Sequence, residues 1–486
     1  MDGEPHDVPI SSREHAQSLD AQDPLSHLKE QFLIPSKGQL KAESLQAASR
    51  DSASADGHDS ENSIYLVYLC GNSLGPQPKL VATRLQQHLN TWSSQGVFGH
   101  FKALNQSPLP TWLDADAKAS ESIAPIVGAH PDEVAVMQTL TANLHFLMSA
   151  FYKPDITKRH KIILETKAFP SDHFVVETQI RHHNLNPETS MITISPPTPE
   201  TPLTTDHIIS ILDANANDTA LLLLPGIQFY TGQFLNIPLI TAHARSLGIF
   251  TLWDLAHAVG NVPLQLHDWD VDAAVWCTYK YLNSGPGTIG GLFVHSRHAE
   301  SKVNRLGGWW GSSKSTRFAM DNSYSPIPGA AGFQLSNPSI LDITALNASL
   351  EVFAMAGGMQ PLRAKSLKLT AYLESLLRAS QAFKNHLFKI LTPSDPEQRG
   401  AQLSLQLVPG LLHVVMRELV LRSVVVDERQ PDVVRVAPAP LFNSFEDCWV
   451  FVDAFAQAIE IAVKAKENGD DGKKQGIEGG ELEMTS

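Results

Sequence analysis

Cysteine is scarce: there are three in 486 residues, Cys70, Cys277 and Cys448. They lie far apart, show no C-x-x-C spacing and leave one unpaired in any scheme, so a secreted disulfide scaffold is excluded and a reducing compartment fits. Long apolar runs are missing too, and no membrane span is expected. The first residues, Met-Asp-Gly-Glu-Pro-His, have neither the apolar core of a signal peptide nor the Arg-rich character of a transit peptide, so the expected location is cytoplasmic. Positive charge is the minority, with 37 Lys and Arg against 51 Asp and Glu and a net charge of −14. A surface that coats nucleic acid is therefore not expected, and an anionic ligand would need a local pocket of donors. Neither a Walker motif nor G-x-G-x-x-G is present, which removes those routes to nucleotide binding.

What is present is length enough for more than one core. Residues 1–63 read as a helical arm with a flexible, polar insertion at 36–62. In the arm, Ser11 to Glu14 has capping-box spacing, and Asp23-Pro24 opens a run with Leu25, Leu28, Phe32 and Leu33 at helical spacing. From 64 to 340, short apolar runs alternate with helical patterns, which predicts an α/β domain with parallel strands. The expected strands are Lys161 to Leu164, Ala220 to Leu224, Gly248 to Trp253, Ala273 to Cys277 and Ile289 to Val294. Between the second and third, a helix opens at Ile237-Pro238 and stops at Gly248. Residues 341–464 read as a smaller α+β domain with a long helix through Leu369, Tyr372, Leu373 and Leu376. Gln402 to Leu407 alternates as a strand does, and Ser444 to Asp447 caps a last helix. Residues 465–486 are charged and Gly-rich, as in a disordered tail.

Lys280 ends a buried apolar run, Ala273 to Cys277, just before the Gly285-Pro-Gly287 turn, where backbone can approach a ligand. Twenty-six residues earlier, Asp254 ends another such run, at the edge where open α/β sheets place their ligands. A strand-end amine and a strand-end carboxylate are what pyridoxal 5'-phosphate (PLP) requires, one for a Schiff base and one for the pyridinium nitrogen. His257, three residues past Asp254, could stack on or hydrogen-bond the ring. Asp254 and His257 could instead be half of a metal site, but no second cluster has ligand spacing; His267-Asp268 and His182-His183 read as exposed loop residues, and no metal is expected. Thr139 to His145 places hydroxyls ahead of a helical pattern, which suits a phosphate at a helix N-terminus or a plain Thr cap.

The ordered set Gly71-Asn-Ser-Leu-Gly75, Leu140-Thr141, Phe169-Pro-Ser-Asp-His173, Phe229-Tyr-Thr-Gly-Gln233, Asp254-Leu-Ala-His-Ala-Val-Gly-Asn261, His267-Asp-Trp269, Tyr279-Lys-Tyr-Leu-Asn283, Ser315-Thr-Arg-Phe318, Ser336-Asn-Pro338 and Arg435-Val-Ala-Pro438 resembles the kynureninase family. The match runs over roughly residues 64 to 460. It implies a type I PLP-dependent transferase fold: a large PLP-binding domain with a mostly parallel seven-stranded sheet flanked by helices, and a smaller α+β C-terminal domain. It also implies a homodimer with shared active sites. Carried over by motif, Lys280 looks like the Schiff-base lysine and Tyr279 a second catalytic residue, the candidate proton carrier. Asp254 looks like the pyridine-nitrogen partner, with Leu140, Thr141, Phe169, Pro170, Ser171, Asp172, His257 and Tyr279 as further cofactor contacts. Trp309 and Asn337 resemble contacts received from the neighbouring subunit. Arg435 resembles the arginine that grips the substrate α-carboxylate, and Ser73, His100 and Ser336 resemble residues near the substrate ring.

The implied reaction is hydrolysis of the Cβ–Cγ bond of L-kynurenine and 3-hydroxy-L-kynurenine to anthranilate or 3-hydroxyanthranilate plus L-alanine, in tryptophan catabolism and de novo NAD biosynthesis. One position departs from the family: Pro225 stands where a serine often contacts the cofactor, and it offers neither hydroxyl nor N–H. The nearest rival within the fold is an aminotransferase or a cysteine desulfurase. Desulfurases typically carry His where this chain has Tyr279, and use a mobile-loop cysteine for which Cys70 and Cys448 have no such setting. A non-catalytic binding protein would be expected to show damage at Lys280, Asp254 or Arg435, and all three are intact.

Overall fold

The computed structural model describes residues 9–42, 65–198, 201–299, 303–320 and 322–468. Its centre is a seven-stranded sheet of β1 (Val134–Val136), β2 (Lys161–Glu165), β3 (Met191–Ile194), β4 (Thr219–Pro225), β5 (Phe250–Asp254), β6 (Ala273–Trp276) and β7 (Gly291–Val294) in the order β1-β7-β6-β5-β4-β2-β3. Strands β3, β2, β4, β5 and β6 pair in parallel, and β7 runs antiparallel to both β6 and β1. Side chains alternate between two apolar layers. Ile163, Leu222, Leu224, Trp253 and Ala274 pack on one face, and Ile162, Leu164, Leu221, Leu223, Leu252 and Val275 on the other. Both faces are dry because helices cover them, which is why these strands read as unbroken apolar runs.

The five expected strands are all present, with ends shifted by one or two residues. The strand expected from Gly248 starts at Phe250 because Gly248, at φ +71°, turns the chain out of the helix Ile237–Ser246. Strand β1, three residues long, and β3, with only its last residue buried, were not read from the sequence.

A second sheet follows, antiparallel throughout: β8 (Phe388–Ile390), β9 (Leu403–Leu407), β10 (Asp427–Arg429) and β11 (Val433–Val436), ordered β8-β9-β11-β10. It packs with the helices Met359–Ala379, Leu412–Leu421 and Phe445–Glu467 around Leu369, Leu373, Val415, Leu419, Phe451 and Phe455. Ser444 and Asp447 form the expected reciprocal cap of the last helix. The Asn261 side chain ties this unit to the large sheet by accepting from the Ala401 N–H at 2.9 Å.

Three readings of the arm need correction. The first helix, Arg13–Ala21, is capped by Ser12, whose hydroxyl accepts from the His15 N–H, so Ser11 is not the cap. The run after Asp23 is no α-helix: it is a 3₁₀ segment, Ser26–Gln31, followed by Phe32–Leu33 paired with Gln77–Pro78. Leu25, Leu28 and Phe32 are buried in the main core either way, and the strand pairing decides the local form. Residues 37–41, inside the segment expected to be a flexible insertion, form a short helix with a reciprocal Ser36–Gln39 cap; the rest of that insertion, from 43 to 62, lies outside the described residues. The last helix continues to Glu467, and the expected disordered tail beyond 468 lies outside the described residues. Among the described residues no single helix is long and apolar enough to cross a membrane.

Candidate active site

The C-terminal ends of the parallel strands converge on one edge of the large sheet. Asp254 is the last residue of β5, Glu165 the last of β2, and the chain leaving β6 reaches Lys280 four residues on. The Lys280 Nζ lies 2.9 Å from His257 Nε2 and 5.9 Å from the centre of the Phe169 ring. His257 is buried, and its pKa falls well below the imidazole range because of that burial and of the Lys280 charge. The imidazole is thus neutral.

Behind the lysine stand three buried carboxyl groups. Asp254 accepts the Ala256 N–H at 2.8 Å and is hydrogen-bonded to Asp172, from the first turn of the helix Pro170–His182. A contact between two carboxyl groups needs a proton between them. Burial and the neighbouring Asp254 raise Asp172 well above its usual range, so Asp172 holds the proton. Asp254 is raised by burial, against the pull of its two hydrogen bonds. Burial likewise pushes Glu165 up to about 8, although Gln228 donates to it at 3.3 Å. Two polar atoms of this group, Asp172 Oδ1 and His257 Nδ1, are buried without a partner. A buried acid cluster with an unpartnered carboxyl oxygen, Asp172 Oδ1, is an electrostatic deficit that a cationic ring nitrogen would relieve. The donor set therefore fits the pyridinium that the sequence implies.

Other expected residues surround this cluster. Phe169 caps the helix carrying Pro170, Ser171 and Asp172, and meets Phe229 edge to face at 5.2 Å. Leu140 and Thr141 open the helix Leu140–Phe151, whose Thr139 cap makes no side-chain hydrogen bond, so first-turn N–H groups remain for an anion. Tyr279, half-buried and hydrogen-bonded to Cys277, keeps its phenol proton because burial raises its pKa. Ser73 lies two residues before Gly75, a position where a Cβ would stand 2.5 Å from the Lys280 carbonyl oxygen and 2.0 Å from Asn283 Oδ1. Only glycine lets these two loops touch. Pro225 ends β4 directly beside Asp254.

Arg435, from β11, is completely buried. Its Nε and Nη2 donate to Asp427 at 3.3 and 2.5 Å, its Nη1 donates to the Phe229 carbonyl at 2.8 Å, and Arg429 joins Asp427 at 2.8 Å. The remaining expected residues lie elsewhere. Trp309, Ser336 and Asn337 are exposed on loops, and the Trp309 N–H donates to the Arg317 carbonyl. His100 stacks edge-on against Trp112 and belongs to an aromatic surface running through Phe101 and Phe318 to Trp309. This chain therefore does not bring Trp309, Asn337, Ser336 or His100 into hydrogen-bond contact with the Lys280 cluster.

Glu165, Gln228 and Asp427 were missed from sequence. Glu165 had a readable signal, since Lys161-Ile-Ile-Leu-Glu165 is an apolar run ended by an acid, as at Asp254. His267, expected in an exposed loop, is half-buried and hydrogen-bonded to Glu133 at 2.9 Å, in a group with His130. The Glu133 oxygens also accept the Ser296 and His130 N–H groups, so this carboxylate clasps two loops. His183, also expected to be exposed, is half-buried and packs edge-on against Tyr152.

The Aminotransferase class-V profile matches residues 67–407, and the Kynureninase C-terminal domain profile matches 362–455. Kynureninase 2 of Neurospora crassa is 59% identical over 93% of this chain and 97% of that protein. The chain belongs to the kynureninase family. Kynureninase 1 of Chaetomium globosum is 63% identical over 86% of this chain and 87% of its own, and the kynureninase of Coccidioides immitis 54% over 94% and 95%. Solved structures agree on the fold at far lower identity. A C-DES mutant with glycine covalently linked to its PLP cofactor superposes with a TM-score of 0.67 at 16% identity, covering 80% of this kynureninase-family chain and 96% of that one. The apo cysteine desulfurase of Thermococcus onnurineus gives 0.63 at 15%, covering 81% and 95%.

Proposed function

We propose that this chain is a PLP-dependent kynureninase. It adds water across the Cβ–Cγ bond of L-kynurenine and 3-hydroxy-L-kynurenine, releasing anthranilate or 3-hydroxyanthranilate and L-alanine, in tryptophan catabolism and de novo NAD biosynthesis. The observation that carries the reading is the Lys280 amine on neutral His257 with the buried Asp254–Asp172 pair behind it. PLP would be held there by Lys280 as its covalent anchor, and would supply an electron sink for charge developing at the substrate's α and β carbons.

The chain's own groups do the rest. Asp254 keeps the pyridinium nitrogen charged, and Asp172 holds Asp254 in place through their shared proton. Phe169 covers the ring, and the N–H groups opening the helix at Leu140 and Thr141 receive the phosphate. Arg435 grips the α-carboxylate, a planar donor meeting a planar acceptor. The Lys280 amine removes the substrate's α-proton. Tyr279, a phenol that keeps its proton, carries protons in hydration and bond cleavage. Ser73, beside the Lys280 loop, faces the substrate ring.

Trp309 and Asn337 act from a second copy in a cytoplasmic homodimer with shared active sites, where His100 and Ser336 lie near the substrate ring. Supporting this, Trp309, Phe318 and Phe101 are 46%, 50% and 58% exposed on one continuous aromatic surface. Purified protein incubated with L-kynurenine should release anthranilate and alanine in equal amounts. Turnover of cysteine or a keto acid with no anthranilate would overturn the reading, and kcat/KM for the two substrates side by side settles the preference.

A further inference from the structure

The segment Phe229-Tyr-Thr-Gly-Gln233 joins the end of the large sheet to Arg435. It is a tight turn folded around one buried side chain, Gln228. The Gln228 Oε1 accepts the Tyr230 N–H at 2.7 Å, the Thr231 N–H at 2.8 Å and the Thr231 hydroxyl at 3.3 Å. Its Nε2 donates to Glu165 Oε1 at 3.3 Å and to the Lys167 carbonyl at 3.2 Å, which anchors the turn to the end of β2 beside the acid cluster. The turn thereby holds Phe229 in contact with both ends of the site. The Phe229 ring meets Phe169, which lies over Lys280, while its carbonyl accepts Arg435 Nη1 at 2.8 Å and Gln402 Nε2 at 3.1 Å.

The donor count at Arg435 shows what this does. Asp427 takes the Nε hydrogen and one on Nη2, and the Phe229 carbonyl takes one on Nη1. One N–H is left on each terminal nitrogen, the fork that a carboxylate binds bidentately. Without the carbonyl, the guanidinium would be held along one edge only and could swing about its pairing with Asp427.

We infer that Gln228 is a positioning residue for substrate recognition: it folds the 228–233 turn so that the Phe229 carbonyl fixes the Arg435 fork for the substrate α-carboxylate. The inference rests on the reading of Arg435 as the carboxylate-binding residue. Gln228 touches neither substrate nor reacting atoms and acts through Phe229.

The test compares Gln228→Leu, which removes both the acceptor and the Nε2 donor, with Gln228→Glu, which keeps an oxygen for the Tyr230 and Thr231 N–H groups but loses the N–H groups that donate to Glu165 and the Lys167 carbonyl. Gln228→Leu should raise KM for L-kynurenine by about 10-fold or more with kcat within about 3-fold, the split expected when uniform binding is lost. The dissociation constant for L-alanine, read from the visible absorption of the holoenzyme, should rise in parallel. Amide exchange at 230 and 231 should quicken in the cofactor-free protein too, a readout that needs no turnover. Gln228→Glu should raise both constants by less than Gln228→Leu does, because the acceptor that folds the turn is kept while the anchor to Glu165 and Lys167 is lost. If Gln228→Leu does not accumulate as folded protein, Gln228→Ala removes the same acceptor. Unchanged KM and alanine binding in the Leu or Ala variant would overturn the inference, as would Gln228→Glu failing as badly as Gln228→Leu. Arg435→Lys distinguishes the two levels. If it leaves KM and alanine binding unchanged, the reading of Arg435 itself falls; if it weakens both while Gln228→Leu does not, only the positioning role falls.

Discussion

The two edges of the large sheet both carry buried carboxylates, in opposite electrostatic conditions. At the edge where the parallel strands begin, Asp272 accepts the Thr251 N–H at 3.0 Å, the Thr251 hydroxyl at 2.9 Å, Arg297 at 2.8 Å and His298 at 2.9 Å. Burial pushes Asp272 up, but His298, Arg297 and the Thr251 N–H outweigh it and bring the pKa down to about 2. Glu133 follows the same pattern: burial opposes ionisation, and the N–H groups of His130 and Ser296 with the His267 ring win. At the edge where the strands end, burial wins at Glu165, Asp172 and Asp254, and all three are raised. A buried acid with its partners in the chain is structural. A buried acid without enough of them is held ready for a partner from outside.

That contrast is breakable. The largest effect should come from Lys280→Ala, with anthranilate release falling by about 10³-fold or more, because the group that moves the α-proton is removed. Asp254→Asn should lower turnover by about 100-fold and weaken PLP retention. In the cofactor-free protein, however, the same change should leave the melting temperature equal or higher, because the ionised form it removes is the one burial disfavours. A lower melting temperature would place Asp254 with the structural acids.

Glu165→Gln sharpens the comparison through pH. A carboxyl raised from its ordinary 4.5 to about 8 contributes stability that is complete below pH 4.5 and is lost as pH rises through 8. Cofactor-free wild type should therefore lose about 2–3 kcal/mol more than Glu165→Gln between pH 6 and pH 9 in denaturant titrations. Asp272→Asn has the opposite sign. A carboxylate depressed from 3.8 to about 2 contributes stability present above pH 4 and lost as pH falls toward 2. The variant should be about 2 kcal/mol less stable at pH 7, with the difference closing below pH 3 and kcat unchanged.

Much of the sheet was legible because its central strands are buried on both faces, so apolar runs bounded by turns marked β2 and β4 to β7. Strand β1, three residues long, and β3, with only its last residue buried, gave no such run. The strand ends bearing Asp254 and Lys280 were legible for the same reason: a charged group that closes an apolar run is out of place unless something meets it. Gln228 and Asp427 were not, because a buried amide or carboxylate looks like a surface one until its partners are known. Those partners lie on other elements, and Phe229 meets Arg435 across 206 positions of chain.

The sequence by itself determined the class of fold, the parallel strands and the two strand-end groups, since each depends on local apolar periodicity and on charge placed where burial penalises it. Only the tertiary structure decided which acids are satisfied and which are not. It put the Glu133 and Asp272 donors within reach at one edge and left Glu165, Asp172 and Asp254 short of them at the other. Hydrogen bonds act over about 3 Å, and no spacing along the chain records which distant groups will come that close.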